Sequence, residues 1–114
     1  KAEVMHLIGE LNGKDVLIID DMIDTAGTTV NAAEAAIENG ANSVTAVATH
    51  ALLSGSAVER VKNSAISKLV VTDTVVIPEE KKLDKLKIVT VSNIFADAIH
   101  RIHEGESVSS LFEF

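Results

Sequence analysis

Three aspartates and a run of small, hydroxyl-bearing residues carry the most distinctive chemistry in this 114-residue sequence. Asp20 and Asp21 follow the apolar run 16–19, and Asp24 opens the segment Asp-Thr-Ala-Gly-Thr-Thr at positions 24–29. Carboxylates accept hydrogen bonds from sugar hydroxyls, and backbone amides at a helix N-terminus bind phosphate. An apolar strand, acids, a small-residue turn and a helix start, in that order, therefore predict a cradle for a phosphorylated sugar.

The adjacent acids Asp20 and Asp21 are expected to divide the work between them. Side chains alternate along a strand, so two neighbouring carboxylates cannot serve one ligand from the same face. One division has one side chain accepting from ribose hydroxyls while the other bonds neighbouring backbone. The alternative for either residue alone is a solvated strand terminus.

The turn at 24–29, here called the phosphate loop, favours anion binding because small residues let the backbone approach a ligand closely. Gly27 is expected to allow a positive φ without steric cost, and the threonine hydroxyls can donate beside the amides. The alternative is an ordinary helix N-cap, for which Asp and Thr are also preferred. A cap needs one such residue, and four surround a glycine here, which favours the phosphate site. The residues expected to bind this part of the substrate are Asp24, Thr25, Ala26, Gly27, Thr28 and Thr29.

The elements that position these residues alternate between strands and helices. Asn12-Gly13 is a strong hairpin signal between two short runs, so a strand–turn–strand is predicted at the N-terminus. The predicted strands are 3–10, 15–20, 43–49, 68–72 and 87–91, and the predicted helices are 27–40, 56–63 and 94–103. This order predicts an α/β fold with three layers, a mostly parallel sheet flanked by helices. Polar loops at 20–29, 49–50 and 72–74 then meet at the carboxyl edge, where such sheets bind ligands.

Composition and charge exclude several classes of function. The length suits one domain over 1–114, with an aliphatic core, since 46% of residues are hydrophobic and only 3% aromatic. A net charge of −7 disfavours nucleic acid as a partner. No apolar run approaches the roughly 20 residues that cross a bilayer, and the absence of cysteine suits the cytoplasm. A phosphate ligand beside three aspartates indicates help from a divalent cation.

The segment 16–29 resembles the phosphoribosyl pyrophosphate motif of type I phosphoribosyltransferases and of ribose-phosphate pyrophosphokinases. The residue sequence Asp-Asp-Met-Ile-Asp-Thr-Ala-Gly-Thr is most similar to that of the second group. Segments 48–55, 69–74 and 101–112 also resemble the pyrophosphokinases. The resemblance implies a phosphoribosyltransferase-like fold and a role in making phosphoribosyl pyrophosphate from ATP and ribose 5-phosphate, with Mg²⁺. It covers about residues 2 to 112 and is similar to the C-terminal half of that family. Lys1 in place of Met also predicts a segment of something longer.

The resemblance also implies roles for individual residues. Asp20 and Asp21 match the acidic pair that contacts the ribose hydroxyls directly or through substrate-bound Mg²⁺, with no direct metal ligand in the chain. The phosphate loop matches the grip on the 5-phosphate. Serines in the tail match part of a regulatory phosphate or nucleotide site between subunits: Ser107, Ser109 and Ser110. His50 is open between a place near the cleft and a structural role, whereas His100 and His103 suit a surface role and His6 has no acidic partner.

The family's basic catalytic loop, its ATP-contacting residues and its metal-binding histidine all precede the matched segment. We therefore expect a substrate-binding domain without catalytic residues that is inactive alone and pairs with the missing N-terminal half or with copies of itself. A second hypothesis is a noncatalytic binding or regulatory module that pairs with a full-length enzyme. A third is a true phosphoribosyltransferase, but no base-binding hood is recognisable. Thr29, Ala51, Asp73 and the run 92–95 depart from the family pattern.

Overall fold

The computed structural model describes residues 9–113, which form a parallel sheet with helices in the connections. The strands are β1 (Asp15–Ile23), β2 (Ser43–Ala51), β3 (Lys68–Thr72) and β4 (Leu86–Val89). The helices are α1 (Gly27–Glu38), α2 (Ala57–Lys62) and α3 (Ser92–His103), with short 3₁₀ turns at Glu79–Lys81 and Ser109–Phe112. The sheet order is β1-β2-β3-β4 and every pairing is parallel. The predicted α/β class is confirmed.

The predicted hairpin at the N-terminus can be assessed only in part. Most of its first strand, at 3–10, lies outside the described residues, and Gly9 and Glu10 are not in a strand. The turn itself is present, because the Lys14 amide donates to the Leu11 carbonyl at 3.0 Å. The amide of Gly13 also donates to the Gly40 carbonyl at 2.8 Å, which ties the turn to the end of α1.

The core lies on one face of the sheet, beneath α1 and α2. On this face Ile18 of β1 aligns with the buried Ala46 of β2, and Ala46 aligns with the buried Leu69 of β3. Ala33 on α1 is fully buried against this surface. Because the facing residues are small, helix and sheet approach closely without aromatic filling. The core is aliphatic, as the composition predicts.

The opposite face of the sheet is open. Leu17 and Ile19 on β1 are 56% and 73% exposed, and α3 has no buried residue although Ile99 and Ile102 lie on its apolar stripe. Of the three expected layers, residues 9–113 form the sheet and the helical layer on one side. Among these residues, no helix is both long and apolar enough to cross a bilayer.

β1 is longer than the sequence indicates, and this changes the setting of the acids. The expected end at Asp20 is wrong, because pairing continues through Met22 with His50 and Ile23 with Ala51. Aspartate is a poor strand former, but a neighbouring strand that extends equally far keeps the backbone in the ladder. Asp20 and Asp21 therefore lie within β1, and only Asp24 follows it.

Two carboxylates outside the cavity link stability to pH. Hydrogen bonds from the Ser43 hydroxyl at 2.7 Å and the Asn42 amide at 3.1 Å lower the pKa of Asp15 from its ordinary 3.8. The Thr90 side chain, followed by the Val91 amide, likewise lowers the pKa of Asp73.

A depressed pKa in the folded state means that the stabilisation is present above the unfolded value of 3.8 and is lost as pH falls below it. We expect the free energy of unfolding to decline with acidification below about pH 4, and to decline less steeply in the Asp15→Asn, Asp73→Asn double variant. Urea titrations between about pH 5 and pH 2 measure both slopes. Equal slopes for the two proteins would contradict the assignment.

Candidate functional site

A cavity of about 230 Å³ lies at the carboxyl end of β1 and is built almost entirely from one continuous segment. Its lining residues are Asp20, Met22, Ile23, Asp24, Thr25, Ala26, Gly27, Thr28 and Thr29. Seven of the eight residues predicted to bind substrate are in this set, and only Asp21 is not. Met22 and Ile23 were not predicted, because an apolar residue at a strand end gives no chemical signal in the sequence.

The acidic pair is divided by the strand, as alternation requires. Asp20 lies on the same side of β1 as Ile18 and lines the cavity, whereas Asp21 has the parity of Leu17 and Ile19 on the open face. The expected division of roles takes a different form, because Asp20 also bonds backbone: its Oδ1 accepts from the Asp21 amide at 2.8 Å. This bond leaves the second carboxylate oxygen of Asp20 to face a ligand.

The left-handed residue of the phosphate loop is Ala26, with φ +70° at the N-cap of α1. The expectation that Gly27 supplies a positive φ is wrong, since Gly27 is the first helical residue and is not left-handed. The strained position thus falls on a residue with a Cβ, at a cost of order 1 kcal/mol that the surrounding structure must offset. Strain of this kind occurs where backbone groups must be aimed at a ligand.

The ordinary helix-cap alternative fails at the level of side chains. No side chain caps the N-terminus of α1, and the first bond of the helix runs from the Val30 amide to the Ala26 carbonyl at 2.9 Å. Among residues 9–113, the amides at 25–29 donate to no protein acceptor. The residues that carry these donors line the cavity at the N-terminus of α1, where unpaired amides and the positive end of the helix dipole favour an anion.

The charges around the cavity come from carboxylates alone. Among residues 9–113, no Lys or Arg lines it, so a phosphate there would depend on backbone donors and on any cation that accompanies it. Within the described part of the chain, no group of three or more His, Cys, Asp or Glu side chains is arranged to hold a metal ion. Asp20 and Asp24 nevertheless fit Mg²⁺, which commonly takes one or two carboxylates together with water and substrate oxygens.

The phosphate loop is held from behind by the segment that follows β2. Leu52 and Leu53 donate backbone amides to the Ile23 carbonyl at 2.9 and 3.2 Å, and Ser54 donates to the Asp24 carbonyl at 2.8 Å. Leu53 is buried and also left-handed, with φ +52°. Sequence reasoning missed this support because backbone bonds between segments almost 30 residues apart leave no pattern in residue types.

His50 belongs to a threonine network beside the site and does not line the cavity. Its Nδ1 lies 2.8 Å from the Thr74 hydroxyl, and the hydroxyls of Thr72 and Thr74 donate to the Thr49 carbonyl at 2.6 and 3.2 Å. These bonds connect the carboxyl ends of β2 and β3. Of the two interpretations of His50, the geometry supports the structural one.

The three tail serines converge on one arginine at the end of α3. Arg101 donates to the Ser110 hydroxyl and to the Ser107 carbonyl, and the Ser107 and Ser109 hydroxyls lie 2.9 Å apart. The cluster is small and exposed. Sequence reasoning selected the serines but missed Arg101. The only signal for it in the sequence is that a cation lies within ten residues of the serines.

A larger cavity, of about 470 Å³, lies between α2 and residues 80–85. Its rim carries both signs of charge, including Glu59, Lys62 and Asp84. The Lys85 ammonium group donates to the Val61 and Ser64 carbonyls at the end of α2, at 2.9 and 3.1 Å. This surface has the character of a solvated groove that joins two elements and has no set of converging donors.

Comparison with known proteins identifies one family of relatives. The family model described as phosphoribosyl synthetase-associated domain matches residues 1–113. Ribose-phosphate pyrophosphokinases from Caldanaerobacter subterraneus and Bacillus subtilis are 57% and 53% identical over 97% of this chain. The chain covers 35% of each of those proteins.

The fold comparison gives the same result. The crystal structure of phosphoribosylpyrophosphate synthetase from Mycobacterium smegmatis superimposes with a TM-score of 0.84 and 34% identity, over 86% of this chain and 33% of that one. The chain thus corresponds to about a third of such a protein. With the match spanning nearly its whole length, this chain belongs to the ribose-phosphate pyrophosphokinase (phosphoribosyl pyrophosphate synthetase) family.

Proposed function

We propose that this chain binds ribose 5-phosphate, or its product phosphoribosyl pyrophosphate, as the sugar-phosphate-binding part of a ribose-phosphate pyrophosphokinase. One observation carries the proposal: the backbone amides at 25–29 surround a cavity and donate to no protein acceptor. A phosphate monoester offers the acceptors that these amides lack. The family membership supplies the sugar to which that phosphate is attached.

The ligand is held by two kinds of group. The 5-phosphate lies against the amides and hydroxyls of the phosphate loop, at the positive end of the α1 dipole. The Asp20 and Asp24 carboxylates, which line the same cavity, accept from the ribose hydroxyls. Asp20 and Asp24 would hold a Mg²⁺ ion that accompanies the substrate, and such an ion would supply neutralisation of the phosphate charge.

We assign the chemical step to a larger protein that contains this segment. Transfer of a diphosphoryl group from ATP needs a nucleotide pocket and cations that neutralise the developing charge, and no Lys or Arg lines the cavity. We place this chain at the C-terminal part of the enzyme, from the order of its family-like segments, and expect it to be inactive alone. The lack of cysteine supports a cytoplasmic location.

A binding module that pairs with another polypeptide is the second candidate. The exposed Leu17 and Ile19 on the open sheet face and the exposed apolar stripe of α3 support pairing. The partner is a further copy of this chain or a full-length enzyme. Sedimentation of the chain alone, and then with full-length enzyme, tests this candidate. A chain that sediments as a monomer both alone and in the presence of full-length enzyme would argue against this candidate.

Calorimetric titration with ribose 5-phosphate tests the main proposal. We expect saturable binding that tightens with Mg²⁺, and a loss of at least about tenfold in the Asp24→Ala, Thr28→Ala double variant. The physical reason is the removal of a carboxylate and a hydroxyl from the rim while the backbone amides remain. Circular dichroism of both proteins confirms that they are equally folded. A folded parent chain that does not bind would refute the proposal for this molecule.

A further inference from the structure

Three consecutive carbonyls of the phosphate loop and its entry are anchored from one side. The Ile23 and Asp24 carbonyls accept from amides of residues 52–54, as described above. The third, the Thr25 carbonyl, accepts from the guanidinium of Arg60 on α2 at 2.9 Å. The anchors therefore comprise three main-chain amides and one side chain, and the side chain bonds the carbonyl furthest into the loop.

Anchoring a carbonyl determines where the next amide points. In a trans peptide the C=O and the following N–H are directed oppositely, and the described residues contain no cis peptide. Bonds that fix the carbonyls of Ile23, Asp24 and Thr25 toward residues 52–60 thus turn the amides of Asp24, Thr25 and Ala26 away from that segment. Residues 24–29 line the cavity on that other side.

Arg60 is the one cation among residues 9–113 that donates to this loop. Its guanidinium fixes the peptide group between Thr25 and Ala26, and Ala26 is the residue in the left-handed conformation. A β-region or right-handed Ala26 would rotate this peptide and break the bond from Arg60. The guanidinium therefore favours the strained conformation over its relaxed alternatives.

We propose that Arg60 is a positioning residue for phosphate binding: it fixes the 25–26 peptide so that the Ala26 amide faces the cavity. This inference rests on the proposed function for its ligand. It assigns to Arg60 an effect through the loop backbone, since Arg60 does not line the cavity.

The competing explanation is a general effect of positive charge near a bound anion. Lys62 provides a matched control, because it lies two residues further along the same helix and lines the other cavity, next to Glu59. Lys62→Ala removes the same charge from α2 without touching the phosphate loop. Arg60→Lys keeps the charge and a single donor on a flexible stem.

The experiment compares Arg60→Ala, Arg60→Lys and Lys62→Ala in the full chain by calorimetry with ribose 5-phosphate and by amide hydrogen exchange without ligand. We expect Arg60→Ala to weaken binding about tenfold and to speed exchange at Ser54 and Val30, whose amides donate to the Asp24 and Ala26 carbonyls of the loop. Lys62→Ala should remain within about twofold of the parent, and Arg60→Lys should recover part of the loss. Thermal melting verifies that all variants fold.

Two results would overturn the inference: equal losses in Arg60→Ala and Lys62→Ala, or unchanged exchange at both Ser54 and Val30 in Arg60→Ala. The exchange measurement needs no ligand, so it also separates the two proposals. If the parent chain binds no ribose 5-phosphate, the proposed function fails. The role of Arg60 in setting the loop conformation is then still decided by the exchange rates.

Discussion

Gly27→Val is expected to lower the affinity for ribose 5-phosphate about a hundredfold or more and to leave the chain folded. Gly27 lines the cavity and has empty space where a Cβ would stand. Its backbone is not left-handed, so the fold itself does not require glycine there. The branched side chain would fill volume that the phosphate needs and would shield the neighbouring amides.

Ala35→Val is the matched control, because it adds similar bulk to α1 at a position away from the cavity. Calorimetry measures the binding of both variants, and thermal melting measures their stability. Retained binding in Gly27→Val would show that the ligand does not approach the start of α1. Loss of binding in both variants would indicate damage to the helix and would not support a steric block.

Truncation of Leu69 to alanine should cost about 3 kcal/mol of unfolding free energy. Leu69 is fully buried in the middle of the sheet face that packs beneath the helices. A domain of this size has a total stability of roughly 5–15 kcal/mol, so the variant loses a large fraction of it. Urea unfolding followed by circular dichroism gives the change directly.

The same substitution on the other face provides the comparison. Leu17 is 56% exposed on the open face of the sheet, and Leu17→Ala should cost less than about 1 kcal/mol. Similar costs at the two positions would mean that the open face is covered in solution, for example by a second copy. Repeating the titration at several protein concentrations distinguishes that case.

The sequence predicts the elements of this fold better than their ends. The Asn39-Gly40 stop of α1 is confirmed, with Gly40 at φ +90°, because a left-handed glycine after a helix is a local signal. The extension of β1 to Ile23 depends on its neighbour β2, which no local pattern contains. Residue type also misleads within α1, where the apolar Ile37 is 38% exposed and the polar Thr29 is buried at 8%.

The site shows the same division between local and distant causes. Residue types at 20–29 identify the cavity because its wall is one continuous segment. The left-handed conformation of Ala26 follows three carbonyls that are bonded by residues 52–60, in the connection after β2 and in α2. Those partners are distant in sequence, so the residue types at 20–29 do not show which position is left-handed. Arg60 and Thr25 are 35 positions apart, so their bond becomes evident only once β2 and α2 have folded back.

The two left-handed, non-glycine residues Ala26 and Leu53 lie on opposite sides of one set of backbone hydrogen bonds. Each excludes most of the conformations that a glycine would sample in the same place. The loop is therefore preorganised: its ordering entropy is lost when the protein folds and not when the ligand arrives. The proposed phosphate site has no cationic side chain in its wall among residues 9–113, so its selectivity would rest on this rigidity, since oriented amides discriminate by geometry where a lysine would discriminate only by charge.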